Sequence, residues 1–149
     1  MIDHMSVKVK DFDKAAAFYE AALAPLGYAK GIEYPGGLQL LVEGEPGDVW
    51  VMSLKEDEAP LPTHIAFAAK DADGVKAFYE AALAAGGTEN GAPGPRDSYS
   101  GYYAAFVYDF EGNNVEAVIP DINEEDSLAE RPRRPENGCQ ETGTAVLFN

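Results

Sequence analysis

Two stretches of this chain, Asp3–Tyr28 and Thr63–Thr88, align without a gap and share 13 of 26 residues. Their centres are nearly verbatim, "AAFYEAALA" at Ala16–Ala24 and "KAFYEAALA" at Lys76–Ala84. A spacing of about sixty residues is longer than the usual solenoid repeat, and there are only two copies. The pattern therefore predicts a duplicated module rather than an array.

Each copy opens on period-two alternation, which marks a half-buried strand. In Ile2–Lys10, Met5, Val7 and Val9 alternate with His4, Ser6 and Lys8. Asp13 and Asp73 are placed as helix N-caps ahead of an apolar stripe at helical spacing. That stripe is Ala15, Phe18, Tyr19, Ala22 and Leu23 in the first copy, and Val75, Phe78, Tyr79, Ala82 and Leu83 in the second. Gly27 and Gly86–Gly87 are the expected stops. Short strands follow, at Tyr28–Tyr34, Leu38–Glu43 and Val49–Leu54, then a weak one near Thr88, Tyr102–Tyr108 and Asn114–Ile119. Between them lie the turn sequences "YPGG", "GEPGD" and "FEGNN". Each module thus reads β-α-β-β-β, and the Phe-Tyr pairs of the repeat are core. The fold class is α+β: two tandem βαβββ modules, residues 1–58 and 59–120, forming one open, curved mixed sheet. Residues 121–149 form an acidic, Pro-containing tail.

Composition narrows the functions available. The net charge of −15 repels nucleic acid and anionic membranes, which are bound through clustered Lys and Arg. The one basic cluster, "RPRR" at Arg131–Arg134, sits in the acidic tail and reads as a solvated linker. No apolar run has the length of a membrane span. The N-terminal segment has no basic region followed by an apolar core, so no secretion signal is expected. A single cysteine, Cys139, excludes an internal disulfide and fits a reducing compartment. A cytoplasmic protein is expected.

The chain has two histidines, His4 and His64, and they fall at the same position of the two copies. Their parity is opposite to Met5, Val7 and Val9, and to Ile65 and Phe67, so both project from the open face of their sheets. In "NNVEAVI", Val115, Ala117 and Ile119 take the core parity and leave Glu116 on that open face. A carboxylate among Val and Ala is costly to bury unless something positive meets it. Two imidazoles and one carboxylate suit a divalent metal and leave positions for water or substrate.

The duplication, together with "IDHMSVKVKD", "THIAFAAKD" and "YAAFVYDFEGNNVEAVI", resembles the vicinal oxygen chelate superfamily. That superfamily includes glyoxalase I, extradiol dioxygenases, fosfomycin-resistance thiol transferases and bleomycin-resistance proteins. The resemblance covers Met1 to about Pro120. It implies a metal held by a histidine on the first strand of each module and a glutamate on the last strand, which here are His4, His64 and Glu116. The metal is Fe(II), Mn(II), Zn(II) or Ni(II), its identity left open. Aligning "GDVWVMSL" with "GNNVEAVI" sets Trp50 opposite Glu116, with Met52 beyond it, so no fourth protein ligand is expected from the first module. The turn "DFEG" replaces the more usual "DPDG".

Other residues of the inward parity are candidates for contacting substrate: Ser6, Trp50, Met52 and Phe106. Tyr102 or Tyr103 is a candidate catalytic proton donor. The stretch "GAPGPRDSYSG", Gly91–Gly101, adds length only to the second module and reads either as a long hairpin connection or as a partial lid bringing Arg96 or Tyr99 to the ligand. The reading that results is a metal-dependent lyase, isomerase or ring-cleaving dioxygenase acting on a small, largely apolar or aromatic, oxygen-chelating substrate. The alternatives are a non-catalytic drug-sequestering protein and a thiol transferase. A homodimer is expected, because a small open sheet leaves edges exposed.

Overall fold

Both helices begin where an aspartate side chain takes over an orphan backbone N–H. Asp11 accepts from Lys14 N at 3.2 Å and Asp71 accepts from Gly74 N at 2.9 Å. These, rather than Asp13 and Asp73, are the N-caps. Asp13 and Asp73 lie within the first turn, where their charge still suits the positive end of the helix.

The structure, a computed structural model, describes residues 2–97 and 101–119. Strand β1 (His4–Val9) leads into helix α1 (Phe12–Leu23) and a 3₁₀ turn at Ala24–Leu26 closed by Gly27, whose φ is 91°. Strands β2 (Ala29–Tyr34), β3 (Gly37–Leu41) and β4 (Asp48–Ser53) finish the first module. The second repeats the order with β5 (His64–Ala68), α2 (Ala72–Ala84), β6 (Thr88–Pro95), β7 (Tyr103–Tyr108) and β8 (Asn114–Ile119). The βαβββ duplication is as the sequence predicts. Nothing is described of the tail, so its expected character lies outside the described residues.

The strands form two four-stranded sheets, ordered β1-β4-β3-β2 and β5-β8-β7-β6. In each, the first strand of the module pairs parallel with the last, and the remaining pairs are antiparallel. The expected single curved sheet is therefore divided, with β1 and β5 each standing at an edge. Both sheets turn one face to a single core that takes in both helices: Val7, Val9, Leu38, Leu40, Val49 and Val51 from one sheet, Ile65, Phe67, Ala105, Val107, Val115 and Ala117 from the other. Phe18, Tyr19 and Phe78 are the largest fully buried side chains of the helices.

The two modules are clasped by the turn between β7 and β8. Phe110 packs edge-on to Phe18 at 5.5 Å and lies under the Lys14 ammonium at 3.7 Å. Glu111 accepts from Lys10 N at 2.8 Å. Beneath them the buried Asp109 collects four donors: Tyr19 OH (2.7 Å), Asn113 Nδ2 (2.7 Å), Asn113 N (2.8 Å) and Glu111 N (2.9 Å). Burial, and then the Asp109 charge, push the Tyr19 phenol far above its ordinary range, so it remains a donor. This knot ties α1 of one module to the start of β8 in the other.

Tyr19→Phe removes one charge-assisted bond from Asp109 and should cost about 1–3 kcal/mol. Asp109→Ala strands all four donors and should cost more than Tyr19→Phe. Urea unfolding of the two variants against the wild type checks the order.

Candidate functional site

The open face of the second sheet is built by register. Ala66, Glu116, Phe106 and Gly91 stand side by side on β5, β8, β7 and β6, and His64 is paired with Asn114 one step along. Strand alternation sends their neighbours Ile65, Val115 and Val107 into the core. Glu116 is only 2% exposed although it lies on the open face, because its neighbours close over it. Its Oε2 lies 2.7 Å from His64 Nε2, and its Oε1 accepts from the Tyr102 hydroxyl at 2.7 Å. The buried charge thus has both oxygens engaged, as its burial requires. The His64 ring is 6.2 Å from the Phe106 ring, and the Arg96 guanidinium lies 5.0 Å from the centroid of the same ring.

The open face of the first sheet is different in kind. His4, Ser6 and Lys8 on β1 pair with Asp48, Trp50 and Met52 on β4, and Gln39 on β3 faces Trp50. A shallow cavity of about 220 Å³ is lined by His4, Ser6, Tyr34, Trp50 and Met52. Tyr34 folds back across Gly37, where any Cβ would collide with its ring. In that pose it lies 5.9 Å from the Trp50 ring and its hydroxyl reaches Met52 Sδ at 3.3 Å. His4 Nδ1 is 2.9 Å from Asp3 Oδ1. That hydrogen bond, with the charges of Asp3 and Asp48, holds the exposed imidazole above its ordinary pKa against some desolvation. Asp48 takes one hydrogen bond from Gln39 Nε2, while its Oδ1 is buried without a partner.

The structure therefore joins His64 to Glu116 and Tyr102, and gathers Ser6, Trp50 and Met52 around His4. It does not bring His4 to the other two proposed ligands within one chain. Among the described residues no three His, Cys, Asp or Glu side chains gather as a metal cluster.

One expectation needs correction, and a second falls partly outside the described residues. Tyr103 takes the parity of Ala105 and Val107 and packs against the core, so it is on the wrong face to act beside Glu116. The stretch expected to be a lid is largely strand: Gly94 pairs with Ala104, Pro95 with Tyr103, and Arg96 N donates to Tyr102 O at 2.7 Å. Arg96 directly follows β6 and lies near the open face, against Phe106. Tyr99 lies outside the described residues.

Tyr34, Asp48 and Asn114 were not singled out from sequence. The signal for the last two was available, since they occupy the same place beside the two histidines in the two modules. For Tyr34 the cue was the glycine pair that follows it.

A sequence model of the Glyoxalase/Bleomycin resistance protein/Dioxygenase superfamily matches residues 1–117, and the chain belongs to that superfamily. No curated protein matches the sequence. Among solved structures, a glyoxalase/bleomycin resistance protein from Albidiferax ferrireducens T118 is 27% identical, with a TM-score of 0.72 over 80% of this chain and 98% of that one. A glyoxalase/bleomycin resistance protein/dioxygenase family enzyme from Burkholderia phytofirmans PsJN is 17% identical, with a TM-score of 0.62 over 78% and 96%. The fosfomycin resistance protein FosX from Mesorhizobium loti is 19% identical, with a TM-score of 0.60 over 84% and 96%. The last two share the fold. Among the described residues no helix is long and apolar enough to cross a membrane.

Glu116 is held by its two side-chain partners, and the outcome of removing each differs. Tyr102→Phe should leave Glu116 Oε1 buried without a donor and cost about 1–3 kcal/mol of stability. His64→Ala exposes Oε2 to water and should cost less, because the imidazole is half exposed. Thermal unfolding of the two variants gives the order.

Proposed function

We propose that the chain is a metal-dependent enzyme of the glyoxalase/dioxygenase type, and that His4 of a second copy completes the site begun by His64 and Glu116. The observation that carries this reading is the His64–Glu116 pair. A nitrogen and a carboxylate oxygen face each other at 2.7 Å on the open face of the second sheet. They suit a divalent cation in place of the proton they share, but two donors are too few to hold it firmly. The third, His4, lies on the open face of the other sheet, so a second chain is the natural source. The free edges of β1 and β5, with Ile2 and Leu61 strongly exposed near the first, support pairing of two copies.

A cation bound there supplies a positive charge beside which negative charge on a substrate oxygen is stabilised. The chain's own groups have separate tasks. Glu116 and His64 orient one another, and Tyr102 fixes the second carboxylate oxygen while keeping a proton at the site. Phe106 supplies an aromatic floor on one sheet, and Trp50 with Tyr34 supplies an aromatic shelf on the other. Such a surface suits a small, flat, largely apolar substrate.

A second reading, sequestration of a cationic molecule without catalysis, is favoured by the charge of −15 and by the aromatic shelf beside Asp48. Metal content separates the two.

Protein purified without chelator should carry a stoichiometric divalent metal by elemental analysis, and His4→Ala, His64→Ala and Glu116→Gln should each lose it. Light scattering at micromolar concentration should give twice the chain mass. Mixing His4→Ala with Glu116→Gln chains should restore metal to half of the sites in the mixed dimers, because one of the two sites then draws only intact ligands. No recovery on mixing, with metal present in the wild type, would place the whole site within one chain.

A further inference from the structure

The open face that carries His64 and Glu116 holds one further charged group that neither the metal nor the fold accounts for. Arg96 is the sole arginine among the described residues. Its Nη2 donates to two main-chain carbonyls, Ala92 O and Ala104 O, and its guanidinium lies 5.0 Å over the Phe106 ring. Its Nε is buried without an acceptor. No carboxylate lies within ion-pair distance of it among the described residues, in a chain with 26 Asp and Glu against 11 Lys and Arg. A permanently charged group that is partly buried and lacks a counter-ion is expensive to keep.

The strand beneath is shaped to receive it. Gly91 pairs with Phe106, and a Cβ there would stand 2.9 Å from Phe106 Cδ2 and 3.3 Å from Arg96 Nη2. The missing side chain leaves the room in which ring and guanidinium settle side by side. Phe106 thus has both the Arg96 guanidinium, at 5.0 Å, and the His64 ring, at 6.2 Å, beside it.

We propose that Arg96 receives a carboxylate of the ligand, so that the ligand of this face is a small aromatic or unsaturated monoanion lying across Phe106. This rests on the reading of that face as the site for a small molecule, and it names the class of that molecule. The anchored guanidinium is planar and held in place, which suits a carboxylate. One arginine on a face that also carries Glu116, in a chain of net charge −15, favours one negative charge over two. The same feature opposes a cationic ligand here.

The probes are benzoate and benzamide, equal in shape and differing in charge. They are titrated calorimetrically into as-purified and chelator-treated protein, with metal content measured on each sample. Wild type should prefer benzoate by about tenfold, the discrimination of one charge-assisted pair. R96Q should bind both equally, with unchanged metal content, and R96K should keep most of the preference. Equal binding by wild type, or binding of neither probe, overturns the proposal. So does a preference that survives R96Q, and so does loss of both probes in R96Q, which would mark Arg96 as structural. The metal reading fails separately: wild type that carries no metal as purified and still prefers benzoate would retain the anion site and remove the metal.

Discussion

A strand offers two faces, and in both modules one face is committed without exception to a core shared with the helices. The alternation of Val7 and Val9 with Ser6 and Lys8, or of Ile65 and Phe67 with His64 and Ala66, is set by apolar burial of about 25 cal/mol per Å². A slip of one residue would exchange the faces entirely, so the core fixes the register strictly. Chemistry is thereby confined to the other face. His4, His64 and Glu116 are where they are because Met5, Ile65 and Val115 are held opposite.

That constraint acts across modules through Asp109. Its carboxylate satisfies Asn113 N and Asn113 Nδ2 immediately before β8, and Tyr19 OH from the far module. Asn113 in turn accepts from Thr63 N through its side chain, at the start of β5. The strands carrying His64 and Glu116 are therefore started from one polar knot. The 2.7 Å approach of His64 to Glu116 follows from two strands launched together and paired parallel.

The duplication, the strand parity and the identity of the facing side chains were legible in the sequence because they are local, repeated and enforced by burial. The helix caps were two residues off because Asp11 and Asp13 both precede the stripe. Which one caps depends on the backbone, and Asp11 alone has the non-helical conformation with its carbonyl reaching Ala15 N. The second half of strand β6 was read as a loop because Gly91, Pro93, Gly94 and Pro95 carry almost no strand preference. It survives as an edge strand with two register shifts, where missing N–H groups are tolerated. The division into two sheets was not legible, since period-two alternation says which face is buried and nothing about which edges meet.

The two modules have kept one architecture while separating their chemistry, and the reason is visible at a single register position. Glu116 faces Ala66 and Phe106 in the second module; in the first, Trp50 takes the same place, facing Ser6 and Gln39. A carboxylate there needs partners, and it has His64 and Tyr102. An indole needs only an apolar neighbour, which Tyr34 supplies by folding across Gly37. One module therefore presents a polar pair with a cation nearby, and the other presents an aromatic shelf with a lone imidazole. In the reading proposed above, the two faces complement each other. On that reading, placing one against the other would bring His4 to the His64–Glu116 pair and set the Trp50–Tyr34 shelf over it. The physical argument for a second copy is thus the division of function between the modules, more than the exposed edges alone.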